Sequence, residues 1–150
     1  MSKISDIVDG LGDMLAAAFP HKKRFPNAYD IPSNNQLYLA DGYGIAVGPG
    51  ARQDLEVGCN IYYERAFAIS ITKEIAATAH DTDKKVSIDK EILEEFNTLR
   101  LALEKDLTLG GKCIDIEYTA DSGLQFTSEE EQRYMIISLT VVAQYREALT

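Results

Sequence analysis

Tryptophan is absent from this chain, and cysteine, histidine and proline are scarce, at two, two and four residues. The cysteines, Cys59 and Cys113, form no Cys-x-x-Cys pair, and His21 and His80 are far from both in sequence. No zinc or redox motif is visible, so the pair reads as two reduced, buried thiols of a cytosolic protein. Basic residues are in deficit: 15 Lys and Arg against 24 Asp and Glu give a net charge of -9. That balance disfavours a free-standing nucleic-acid reader, which needs a basic surface to neutralise phosphates. It does not disfavour a protein that DNA merely slides past, because an acidic wall repels phosphate. Long apolar runs are missing as well. The first helix-like stretch is broken by Asp6, Asp9 and Asp13, unlike the apolar core of a signal peptide, and no run reaches transmembrane length. The expectation is a protein made and folded in the cytoplasm.

What is present suits a single globular domain. A chain of 150 residues, 45% of them apolar, can bury a core without disulfides or metal. Ile4, Ile7, Val8, Leu11, Leu15 and Ala18 recur at helical spacing and predict an amphipathic N-terminal helix ending before Pro20. Gly10 and Gly12 weaken it by about 1 kcal/mol each relative to alanine. Residues 20–36, with Pro20, Pro26 and Pro32, read as a long connector. Strands are expected around Leu37–Leu39 and Tyr43–Val47, with a turn at Gly48-Pro49-Gly50. The alternation over Ile61–Thr72 predicts a half-buried strand, interrupted on its apolar face by Arg65.

Residues 76–86 read as an exposed loop. A second helix is expected from about Ile88 to Asp106, capped by Ser87, with Ile92, Phe96, Leu99 and Leu103 buried and Leu93 beside them. Lys90–Glu94 and Arg100–Glu104 are spaced for ion pairs on its wet face. Strand patterning returns at Cys113–Tyr118, with a hairpin turn expected at Asp121-Ser122-Gly123. The last strand, from Gln132 to about Tyr145, is apolar on both faces and reads as central. The expected fold class is α+β, a mostly antiparallel sheet of five to six strands with two helices on one face.

No catalytic, cofactor-binding or metal-binding set emerges, and the chain reads as a non-enzyme. The glycine run Gly42–Gly50 fails as a phosphate cradle because Pro49 removes an N–H and no Gly-Lys-Ser/Thr or helix follows. Asp81 and Asp83 lack the glycine and glutamate of a calcium loop. Neither histidine sits beside a visible orienting carboxylate. Two clusters stand out as contact regions. His21, Lys22, Lys23 and Arg24 form the one basic run, suited to an acidic partner or to phosphate. Glu129, Glu130 and Glu131 form an acidic triplet that could meet a cation or a basic neighbour, and a solvated turn is the simpler reading.

The order of these elements resembles that of the tail terminator (tail completion) proteins of long-tailed bacteriophages. The resemblance is carried by the N-terminal helix, Phe25-Pro26-Asn27, Gly42-Tyr43-Gly44-Ile45, the strand Arg65–Thr72, the helix 88–106 and the long final strand. It implies a hexameric ring on the end of the tail tube in the virion, assembled in the host cytoplasm. The implied partners are further copies of the chain, the tail tube protein and the head-closure or connector protein, with DNA passing through the lumen without sequence-specific binding. No membrane and no cofactor is implied. Competing readings are a head-closure or other neck protein, a small carboxylate-dependent enzyme and a host-directed binding protein.

Overall fold

A computed structural model describes residues 3–25, 41–58, 60–74, 82–129 and 132–148. In chain order they form α1 (Lys3–Ala18), β1 (Lys23–Arg24), β2 (Asp41–Val57), β3 (Asn60–Glu74), α2 (Thr82–Lys105), β4 (Asp115–Asp121), β5 (Gln125–Glu129) and β6 (Gln132–Ala148). The six strands make one sheet in the order β1-β2-β3-β6-β4, with β5 also paired to β6. All pairings are antiparallel except β1 with β2. The fold class is therefore α+β, as the patterning predicts. No helix among the described residues is long and apolar enough to cross a membrane.

Both helices cover the same sheet face. The odd-numbered residues of β3 and β6 point at them: Phe67, Ile69, Ile71, Ile137, Leu139 and Val141 join Ile7, Leu11, Leu15, Ile92, Leu99 and Leu103 in one core. This is the predicted period of two on the strands meeting the predicted helical stripe. Leu93, beside the stripe that buries Ile92 and Leu99, is 47% exposed. Arg100 and Glu104 form the expected surface pair, at 3.4 Å. β6 is central, with β3 on one side and β4 and β5 on the other.

The two helix glycines differ in what stands against them. Gly10 and Gly12 are both buried. A Cβ on Gly10 would meet Leu109 and Lys112, and one on Gly12 would stand 2.8 Å from Arg24 Nη1. Gly10 lets the α2–β4 connection close on α1, while at Gly12 the neighbour is only the flexible end of Arg24. Leu109 adopts a positive φ of 51° and is nonetheless buried, so apolar contact offsets its backbone strain.

Three boundaries differ from the sequence reading. α2 begins at Thr82, so the second half of the expected 76–86 loop is helical and Ser87 lies inside the helix. Asp83 lies in this helix too. Gly48-Pro49-Gly50 is not a turn. β2 runs through it with a register shift between Val47 and Gly50, a bulge, and the reversal comes at Gly58, whose φ is +63°. Asp121-Ser122-Gly123 is not a hairpin turn either. Ser122 N donates to Ser138 O at 2.8 Å, and Ser138 N donates to Ser122 Oγ at 3.0 Å. The chain therefore stays beside β6, and β4 and β5 form one interrupted strand running antiparallel to it. Asp121 caps the interruption by accepting from Gly123 N at 2.9 Å. The reversal falls between Glu129 and its partner Gln132. The strand expected at Leu37–Leu39 and most of the 20–36 connector lie outside the described residues, as does Cys59.

Candidate functional site

The basic run does not act as one patch. The turn after α1 is closed by Phe19 N donating to Leu15 O and Lys22 N donating to Phe19 O. This turn sends Lys22 inward while His21, Lys23 and Arg24 stay exposed. Lys22 has a fully buried side chain. Its Nζ contacts Asp41 Oδ1, lies 2.6 Å from Glu95 Oε2 and donates to Thr72 O at 3.1 Å. The same ammonium stands 5.9 Å from the centre of the Phe19 ring. A buried cation is tolerable only when paired and hydrogen-bonded in this way.

Lys73 extends the cluster. Its Nζ lies 3.0 Å from Glu95 Oε1 and 3.2 Å from Glu91 Oε2. Burial by itself would lower the Lys73 pKa, but Glu95 and Glu91 outweigh it and hold the value above the ordinary lysine range. His21 Nε2 approaches Asp41 Oδ2 at 3.5 Å. The cluster thus ties the α1–β1 turn, the start of β2, the end of β3 and the middle of α2 together. His21, Asp41 and Glu95 bring one imidazole and two carboxylates within 4.8 Å of one another, which is a metal-like donor set. The Lys22 ammonium already touches both carboxylates and neutralises the charge that a divalent ion would need. Its chemistry is that of a structural ion cluster.

Lys23 and Arg24 form β1 itself, pairing with Gly42 and Tyr43. Glu129 ends β5, while Glu130 and Glu131 lie outside the described residues. The basic run therefore lies at the β1–β2 edge of the sheet, and Glu129, the described member of the acidic triplet, at the end of β5 on the other side of β6. No protein-family model matches the chain, and no curated protein matches it in sequence.

The sequence reading missed two functional features. Asp41 and Glu95 complete the Lys22 cluster, yet their separation in sequence carries no pattern. Arg65 appeared as an exception on an apolar face. Its Nη1 donates to Gly48 O at 2.9 Å, so it braces the β2 bulge. A Cβ on Gly50 would stand 2.7 Å from the Arg65 Cζ, which is why the bulge carries glycine there.

The sheet face away from the helices has a different character. Gly44, Ala46, Ala66, Ala68, Ser70, Ser138, Thr140 and Val142 lie on it, and Ser70 and Ser138 hydroxyls are hydrogen-bonded at 2.8 Å. Tyr134 and Ile136 are buried at one end of it with Phe25. Over its middle, no helix packs on this face among the described residues.

Proposed function

We propose that this chain is a structural assembly subunit of the tail terminator kind. It forms a ring that caps a phage tail tube, joins it to the head connector and leaves a lumen for DNA. The observation that carries the reading is the one-sided sheet. Two helices cover one face, while the middle of the other is rich in small and hydroxyl side chains, and the outer strands have no further strand beside them among the described residues. A face of this kind, on a protein of net charge -9, offers DNA few points of adhesion. Open edges give neighbouring subunits a place to join. The ion cluster supports a scaffold role, since its charged groups are engaged with one another across four elements.

The test is tube assembly. Tail tubes polymerised with the purified protein stop at a defined length and carry a ring at one end in electron micrographs. Tubes that grow unchecked, with no density added at either end, contradict the proposal.

A further inference from the structure

The edge of the sheet at β4 is open and carries apolar side chains. β4 has β6 on one flank and no strand on the other among the described residues. Unpaired N–H and C=O groups on such an edge are a template for a further strand. Six large apolar side chains are well exposed among the described residues: Leu93 and Leu101 on α2, and Leu107, Ile114, Tyr118 and Phe126 between the end of α2 and β5. Four of these six thus lie along one edge of the sheet, an arrangement that marks an interaction surface.

The two faces of this edge differ. Ile116 is buried in the core under the helices, and the Tyr118 ring meets Phe96 of α2 edge-on, with ring centres 6.3 Å apart. Asp115 and Glu117 alternate with them and so belong to the opposite face. A cleft of about 360 Å³ runs between the end of α2 and β4. Leu103 and Leu107 line it on one side and residues 115–118 on the other. Arg100 and Glu104, which also line it, are already joined to one another.

The charge along the edge has one sign. Residues 113–126 include no lysine or arginine. Lys112, just before them, pairs with Asp13 at 3.7 Å. Asp121 accepts from the Tyr118 hydroxyl at 2.6 Å and from Gly123 N at 2.9 Å. Asp115 and Glu117 have no ion-pair partner among the described residues. A second β4 brought alongside sets carboxylate against carboxylate, which is unfavourable. A strand with lysine or arginine opposite Asp115 and Glu117 meets the opposite charge, and its alternate residues fall beside Tyr118 and the cleft.

We infer that the free edge of β4 receives an extended segment of a partner protein in which lysine or arginine alternates with apolar residues. Main-chain hydrogen bonds hold the segment, the cleft takes an apolar side chain and the two carboxylates fix the register. The added strand is short, because regular pairing of β4 with β6 covers only 115–118 before the register shifts. This docking does not require a ring, since the edge belongs to a single chain.

Synthetic peptides test it. A short fluorescent peptide of alternating lysine and valine, titrated with the purified protein and read by anisotropy, binds saturably below about 1 mM. Three changes each weaken it by about fivefold or more. The first replaces the peptide lysines by glutamate. The second N-methylates the peptide amides along one edge, which removes their hydrogen bonds and keeps the charge. The third is Asp115→Asn with Glu117→Gln in the protein. Asp9→Asn with Glu94→Gln removes two exposed carboxylates from the helices and leaves binding unchanged. Thermal melting checks that both double variants fold. Binding that the two double variants affect equally, or that survives N-methylation, overturns strand addition in favour of diffuse attraction to an acidic protein. No saturation by about 1 mM of the lysine–valine peptide overturns the docking site. Dimers of the parent in native mass measurement that Tyr118→Asp breaks assign the edge to a second copy and overturn the basic partner.

Discussion

Lys22 Nζ lies 2.6 Å from Glu95 Oε2, joining the turn after α1 to the middle of α2 through a fully buried lysine side chain. The pair closes over the end of β3, where Lys22 also reaches Thr72 O. Removing the cation strands Asp41 and Glu95 facing one another.

Lys22→Met is therefore destabilising. The expected loss is about 3 kcal/mol in urea unfolding, tempered because Lys73 still pairs with Glu95. Adding Glu95→Gln to that variant recovers part of the loss. A loss below about 0.5 kcal/mol contradicts the ion cluster as a structural tie.

Glycine substitutions separate two kinds of close approach. At Gly12 the nearest atom to an added Cβ is the far end of Arg24, which can swing aside. Gly12→Ala then gains helix propensity and changes stability by up to about +1 kcal/mol. At Gly50 the added Cβ meets Glu64 O at 2.9 Å as well as the Arg65 guanidinium. Gly50→Ala costs about 2 kcal/mol because backbone must move. Thermal melts of the two variants shift in opposite directions.

Burial, aided by Asp115 and Asp106, pushes the Cys113 thiol from the ordinary 9.0 up to about 11. The folded state therefore favours the neutral thiol. That contribution is complete below about pH 9 and is lost as the pH rises toward about 11. In a Cys59→Ser background, Cys113 resists alkylation at pH 8 in the native protein and reacts promptly in denaturant. Rapid native labelling at that pH contradicts the assignment.

Amide exchange checks the course of the C-terminal chain. Ser122 N and Ser138 N are bonded across the strand pair. Both amides exchange more slowly than an unpaired exposed amide. If Asp121-Ser122-Gly123 were a hairpin turn, Ser138 would lose its partner and exchange quickly.

The sequence made the core legible and left the reversals obscure. The period of two across Ile61–Thr72 and Gln132–Tyr145, and the helical stripes of α1 and α2, are direct records of which face meets the core. Gly48-Pro49-Gly50 and Asp121-Ser122-Gly123 carry turn chemistry, but a bulge uses the same residues as a turn. Only pairing with β3 and β6, distant in sequence, separates the two. The basic run was visible as a cluster, yet its division into one buried and three exposed members depends on Asp41 and Glu95.

The proposed role requires this chain to close into a ring with copies of itself. Native mass measurement over rising protein concentration, alone and with tail tubes, tests it most directly. A ring subunit gives one closed species of fixed subunit number that accumulates without larger intermediates. A chain that stays monomeric under both conditions contradicts it.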